Sequence, residues 1–299
     1  MSSCDTLFET RTKLAALSKE GASVNTEGTA HLRRFGDKAT VEAEFDGSAE
    51  IAIRVTPRAK EIVPEKVLQS FNTWAFKREQ PDNSVAMLQS IAKSIAVGAP
   101  VPFVLYWGKG PRSNIDKPDI ECLNYLAALT RRISGTYARG AALKLIFTDT
   151  HAELNGHSSQ SIRQYFDEVA DGARERGFAS CWLGDLTKAA EVDSESSLID
   201  EIVPETTFQQ LLASAMKWYR GNGSCEEGAL KYYRMNMVEK RAVERAFPDS
   251  IFITFNGSEF RGLFPQSLPI FYMYSLRKGI SIKPWFLFSD RAVCEQLAS

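Results

Sequence analysis

From Val101 onward, short apolar and β-branched runs alternate with amphipathic helical stretches, and this alternation predicts an α/β fold. The expected architecture is a Rossmann-like, mostly parallel sheet with flanking helices and an N-terminal β/α extension. The runs VPFVLYW (101–107), LKLIF (143–147) and FASCWLGDL (178–186) have strand length, and polar residues follow each. Between them, IECLNYLAALTRRISGTY and SSQSIRQYFDEVADGARERG repeat their apolar residues at helical spacing. Strand, helix, strand, helix, strand at these lengths describes parallel strands joined by crossover helices.

The elements follow in order. Asp5 to Ser18 has a helical pattern, and a Gly/Asn/Thr-rich loop comes after it. TVEAEF and AEIAIRV alternate like half-buried strands, and Asp46-Gly47 between them suits a hairpin turn. VPEKVLQSFNTWAFKRE and SVAMLQSIAKSIAVG read as helices. In the helix after the first strand, Ile120, Leu123, Leu126, Ala127 and Ile133 share one side, and the next helix is opened by serines and closed by Gly177. The middle, Thr206 to Trp218 and Glu226 to Ala246, is helical with RGNGSC as a break; PDSIFITFN, PIFYMYS and ISIKPWFLF are further strands. Residues 1–99 form the extension and 100–299 the Rossmann-like catalytic domain, with no Pro/Gly/Ser-rich linker to part them into more than one continuous unit.

A chain of 299 residues holds a substantial core. With 36 Lys+Arg against 37 Asp+Glu the net charge is −1, which argues against partners held by charge alone, nucleic acid and membrane surfaces among them. Cys4, Cys122, Cys181, Cys225 and Cys294 are odd in number and contain no C-x-x-C pair, so neither a disulfide framework nor a zinc knuckle is expected. The polar N-terminus and the lack of any 18-residue apolar run complete the expectation of a soluble, cytoplasmic protein.

Ligands of open α/β sheets settle at the carboxyl ends of the strands. Three polar segments stand there: GKGPRSNIDKPD after Trp107, TDTHAELNGH after Phe147, and GDLTK after Leu183. In the first, Lys109 and Arg112 among glycines suit an anion, as a point charge and a forked donor; the same residues also fit a solvated turn, since neither G-x-x-x-x-G-K-[ST] nor G-x-G-x-x-G is present. In the second, Asp149 could orient the imidazole of His151 for proton transfer, or the pair could contact substrate or cap a helix. H-x-E-x-x-x-H does not match a helical zinc motif, the helix is expected to start only after His157, and Asn155-Gly156 is a turn dipeptide, so no metal is expected. Asp185 is a strand-end carboxylate or a helix cap. Arg234, Lys240, Arg241 and Arg245 beside Glu239 and Glu244 fit a salt-bridged exposed helix face. Arg261, Lys278 and Lys283 are anion contacts if the C-terminal end folds back to the rim, and Trp285, Phe286 and Phe288 fit the core. No nucleophile elbow occurs, and no spacing supports a Cys–His pair.

From about Val101 to Phe286 the order of these pieces resembles the isonitrile (isocyanide) synthase family, also called the pyoverdine/dityrosine biosynthesis family. The resemblance rests on PFVLYWGKGPRSN, PDIECLNYLAALTRRI, GAALKLIFTDTHAELNGHSSQSIRQYFDEV, YYRMNMVEKRAVERAFPDSIFITFN and ISIKPWF. The chain departs from the family pattern at Ile251 to Asn256, where the family has an arginine and a histidine, and at Phe286, where it tends to carry histidine. The resemblance implies a biosynthetic enzyme that joins the amino group of an amino acid to the carbonyl carbon of ribulose 5-phosphate, without metal or organic cofactor. Small-molecule substrates and a downstream tailoring enzyme are the implied partners. Asp149 and His151 would then move protons and Asp185 would orient the amine. Lys109, Arg112, Ser113, Asn114, Arg234 and Lys283 would hold substrate or phosphate. Two other classes stay open: an S-adenosylmethionine-dependent methyltransferase, although its Gly-x-Gly-x-Gly turn is missing, and a non-catalytic ligand-binding relative.

Overall fold

The structure, a computed structural model, describes residues 22–24, 30–35, 39–45, 51–57, 63–108, 110–111, 113–190 and 202–273. The helix expected over Asp5 to Ser18 and the strand expected in ISIKPWFLF, with Trp285, Phe286 and Phe288, lie outside the described residues. The chain forms two compact units, Met1–Glu61 and Ile62–Ser299.

In the first unit, β1 (Ala22–Val24), β2 (Ala30–Phe35), β3 (Ala39–Phe45) and β4 (Ile51–Pro57) make an antiparallel sheet in sequence order. The two alternating stretches pair with each other, Phe45 opposite Ile51 and Ala39 opposite Pro57. Strands β1 and β2 occupy a stretch that reads as loop, because they lack a sustained apolar/polar alternation.

The second unit is built on five strands, β5 (Val101–Trp107), β6 (Ala141–Phe147), β7 (Ala179–Trp182), β8 (Ile251–Thr254) and β9 (Ile270–Tyr272). They lie in the order β7-β6-β5-β8-β9, and every pair is parallel. The α/β, Rossmann-like reading holds. The chain runs outward from β5 through β6 to β7, then returns to the other side of β5 for β8 and β9. This reversal is a topological switch point, where the loops at the strand ends diverge and leave a crevice.

Both faces of the sheet are covered, which is why β5 and β8 read as near-continuous apolar runs instead of alternating. On one face Phe103, Leu105, Trp107, Leu145, Phe147, Ile251 and Ile253 share a core with α1 (Pro64–Phe71), α2 (Ser84–Val97), α3 (Lys117–Ser134) and α5 (Ser159–Arg174). Phe147 and Phe166 stack there at 4.9 Å. On the other face Val104, Ile146, Phe252 and Ile270 pack with Leu183 of α6 (Leu183–Ala189) and Val243 of α8 (Cys225–Ala246). Helix α7 (Glu205–Trp218) packs on α8 through Leu211, Ala229 and Tyr233. The segment between α1 and α2 closes the β9 edge, with Arg78 N–H donating to Tyr272 O at 2.9 Å and Asp82 N–H to Ile270 O at 2.8 Å.

Capping residues fix the helix starts. Asp116 and Asp119 form a reciprocal capping box on α3, Ser158 caps α5, and Ser224 with Glu227 boxes α8. Ile120 is not on the buried side of α3 as expected: it is 41% exposed, because the first turn buries Asp119 and Glu121 instead. Asp119 accepts from the Tyr165 hydroxyl at 3.1 Å, which satisfies a carboxylate that is otherwise costly to bury.

Two corrections concern the rim. A short helix, α4 (Asp149–Leu154), stands where a loop is expected, and β7 stops at Trp182, so Gly184 and Asp185 belong to α6. Among the described residues, no helix is long and apolar enough to cross a membrane.

Candidate functional site

The site grows from the end of β6. Thr148 directly follows the strand, and its hydroxyl donates to the Trp107 carbonyl at 3.1 Å, tying the carboxyl ends of β6 and β5 together. Helix α4 starts at once, and its first turn carries Thr150 and His151 to the middle of α8. There the Thr150 hydroxyl donates to Glu239 Oε1, and His151 Nε2 lies 2.6 Å from Glu239 Oε2. The side chains of His151 and Glu239 are 12% and 2% exposed, so the carboxylate is withdrawn from water while the imidazole keeps an edge at the surface. A buried carboxylate beside an imidazole fixes the ring's orientation and tautomer.

Helix α8 supplies the other wall. Tyr232, Asn236, Glu239 and Val243 follow one another at spacings of four, three and four, so they share a face. The Tyr232 ring meets the His151 ring edge-on at 4.9 Å, and the Tyr106 ring of β5 stands 6.5 Å from it. The far end of α4 is held by the turn that precedes α8. Gly156 has φ +83°, and a Cβ there would stand 2.9 Å from the Arg220 carbonyl, so this position requires glycine.

Burial and the Glu239 carboxylate raise the Tyr232 phenol to about 12, opposed by a hydrogen bond involving Asn236. Burial, then the charge of Glu239, raises the Tyr106 phenol well above its usual value of 10. Both tyrosines are therefore neutral hydroxyls near neutral pH. The native state holds these protons more tightly than the unfolded chain. The resulting stabilisation is complete below pH 10 and is lost as the pH rises toward about 12. Spectrophotometric titration is expected to show at least three phenols, Tyr106, Tyr232 and Tyr272, that ionise only above pH 11, Tyr272 being raised to about 12 first by burial, together with the onset of alkaline unfolding.

The sequence-expected residues fall into three groups. His151 is at the centre, but its carboxylate partner is Glu239, not Asp149. Asp149 Oδ1 instead accepts from the Gly184 N–H at 3.0 Å, capping the first turn of α6. Asp185 lies on α6 with its side chain 73% exposed, 3.8 Å from Lys188 Nζ. Ser113 and Asn114 are exposed, and the Ser113 carbonyl accepts from Gln164 Nε2 at 3.0 Å. Gly110 does approach the second polar segment: a Cβ there would be 3.6 Å from His157 Nε2. Arg234 borders an open cleft of about 370 Å³ with Asn222, Glu227 and Lys231. Another open cleft, of about 490 Å³, lies between α3 and the end of α5, away from His151. Arg261 pairs with Asp82. Lys109, Arg112, Lys278 and Lys283 lie outside the described residues.

Glu239 is the residue that charge patterning misplaces. It is 1% exposed and not part of a salt-bridged surface. Its neighbours on α8 also bond elsewhere: Lys240 Nζ donates to the Gly262 carbonyl at 3.2 Å, Arg245 to the Ala190 carbonyl at 2.6 Å, and Glu244 accepts from the Ser267 N–H at 3.0 Å. The signal for Glu239 is its position on the stripe Tyr232, Asn236, Glu239, Val243, a carboxylate at core spacing. Among the described residues no group of three or more His, Cys, Asp or Glu side chains could hold a metal ion.

No protein-family model and no curated protein matches the sequence. The chain is similar to the PvcA protein from Pseudomonas aeruginosa, with a TM-score of 0.53 and 17% identity, over 75% of this chain and 87% of that one. It also matches tyrosyl-tRNA synthetase complexed with L-tyrosine from Archaeoglobus fulgidus, at TM-score 0.44 and 12% identity over 72% of this chain and 65% of that one. The corresponding synthetase from Pyrococcus horikoshii gives 0.41 and 12% over 74% and 58%. The likeness to PvcA is one of fold.

Proposed function

We propose that the chain is a biosynthetic enzyme of natural-product metabolism related to isonitrile synthases, acting on the amino group of an amino acid or related amine with ribulose 5-phosphate as carbon donor. The observation that carries this reading is the buried His151–Glu239 pair at the carboxyl ends of parallel strands, 2.6 Å apart. Joining an amine to a ketone needs a group that takes a proton from nitrogen and returns one to the departing hydroxyl, so that water leaves and an imine remains. An imidazole seated on a carboxylate does both. The sequence resemblance over Val101 to Phe286 supports the same chemistry, and the PvcA-like fold is compatible with it. Lys109 and Arg112 hold the phosphate in this reading, and Asp149 keeps α4 in place by anchoring it to α6.

The test incubates the purified full chain with L-tyrosine or L-tryptophan and ribulose 5-phosphate and follows products by mass spectrometry. A product heavier than the amino acid by one carbon less two hydrogens is expected. Sugar-phosphate binding without that product would replace the enzyme with a ligand-binding relative. Stabilisation by S-adenosylmethionine alone would point to a methyltransferase.

A further inference from the structure

The imidazole of His151 has two nitrogens, and the fold commits only one of them. Nε2 lies 2.6 Å from Glu239 Oε2, and since a carboxylate accepts, the ring hydrogen belongs on Nε2. Nδ1 has no hydrogen-bond partner among the described residues and is not sealed from solvent, so it lies on the edge of the ring that reaches the surface. Thr150, the preceding residue, branches toward two other helices. Its hydroxyl donates to Glu239 Oε1 on α8, and its methyl carbon Cγ2 lies 3.5 Å from the place a Cβ on Gly184 of α6 would take. A β-branched side chain has few χ1 choices, and the seat against Gly184 favours one of them. A glutamate carboxylate has no such restraint of its own, because its last torsion is broad.

We infer that Thr150 is a positioning residue: by fixing the plane of the Glu239 carboxylate it keeps the hydrogen of His151 on Nε2 and leaves Nδ1 as the atom that takes and returns the substrate's proton. The role of Nδ1 rests on the proposed reaction, whereas the hold on the tautomer does not. With one donor on each oxygen, the carboxylate cannot turn without breaking a bond. Without the hydroxyl, Oε1 is an acceptor with no donor on a side chain only 2% exposed. The carboxylate then turns freely, the Nε2 hydrogen bond loses its alignment, and a ring with its hydrogen on Nδ1, facing solvent, competes.

Nuclear magnetic resonance of isotope-labelled histidine reads this in the protein without substrate, with His151→Ala identifying the resonances of residue 151. At a pH where the ring carries one hydrogen, wild type should hold it on Nε2 in slow exchange with water. Thr150→Val keeps the branched shape and removes the hydroxyl; there the hydrogen should exchange about three- to tenfold faster, with part of the population on Nδ1. Thr150→Ser keeps the hydroxyl and should match wild type. The inference is overturned if wild type carries the hydrogen on Nδ1, if valine changes nothing, or if serine behaves like valine, which would assign the effect to the methyl seat. The serine variant and wild type decide the matter alone should valine prevent folding. With L-tyrosine and ribulose 5-phosphate, kcat should fall about three- to tenfold in Thr150→Val at unchanged KM and recover in Thr150→Ser; a loss confined to KM overturns the role of Nδ1. A wild type that shows the Nε2 hydrogen and its dependence on Thr150 yet forms no isonitrile defeats the proposed reaction and leaves the hold on the tautomer standing.

Discussion

Replacing Glu239 by alanine is expected to lower the melting temperature by about 6–12 °C, roughly 3 kcal/mol, which makes Glu239 a dominant polar contributor to the α4–α8 contact. The side chain is almost wholly buried and accepts from two groups on a different element, the Thr150 hydroxyl and His151 Nε2. Truncation takes the acceptor from both donors, and each stranded group costs about 1–3 kcal/mol. Removal of a charge near two neutral tyrosines offsets little, because their neutrality comes first from burial. Glu239→Gln separates stability from chemistry. Glutamine keeps an acceptor for Thr150 but presents an amide N–H to Nε2, which forces the imidazole into the opposite tautomer. The Gln variant should lose less than half the stability lost by alanine while turnover falls at least as far. Thermal unfolding of both variants beside wild type checks this, and equal melting points for wild type and Glu239→Ala would refute the buried bond.

How much of this was legible in the sequence depends on whether the determining contact is local. The parallel sheet was, because β5 and the Leu145 to Phe147 end of β6 are unbroken apolar runs, and the helices that follow them carry their apolar residues at a 3.6-residue period. The order of the loops at the rim followed from the sheet, and Gly110 beside His157 bears out their proximity. The carboxylate partner of His151 was not legible. A local rule favours Asp149, two residues away, whereas the fold chooses Glu239, 88 residues on. Charge patterning pulls in the same wrong direction, since Glu239 sits between Val238 and Lys240 in a charged stretch whose Lys240, Glu244 and Arg245 bond to backbone. Only the spacing from Tyr232 to Val243 marks it as a core position, and reading that requires knowing which face of α8 meets the sheet. Helix α4 was hidden for a related reason. Six residues are too few for a period to show, and its start is set by Thr148 bonding to a neighbouring strand, not by a local cap.

His151→Ala is expected to reduce turnover by about 10²–10⁴-fold, the range that a positioned acid–base group contributes, with the Michaelis constant moving only a few-fold. The split follows from the geometry. His151 touches Tyr232 and Glu239, and the anion-holding residues proposed for the sugar phosphate belong to the loop after β5, so binding and proton transfer use different side chains. The variant also leaves Glu239 with one donor in place of two, so its melting point should fall, by less than in Glu239→Ala because Thr150 still satisfies one oxygen. A fall in activity by itself would therefore not separate a proton carrier from a packing residue. Added imidazole makes that separation. The native ring is 12% exposed, so its removal opens a slot that reaches the surface and lies against the carboxylate. Free imidazole entering it can donate the same hydrogen bond to Glu239 and shuttle the same proton. Turnover that rises with imidazole concentration, with a pH–rate profile that regains its wild-type shape, is the expected result. A variant that responds to imidazole in melting point but not in rate would assign His151 to structure and leave the proton transfer to another group.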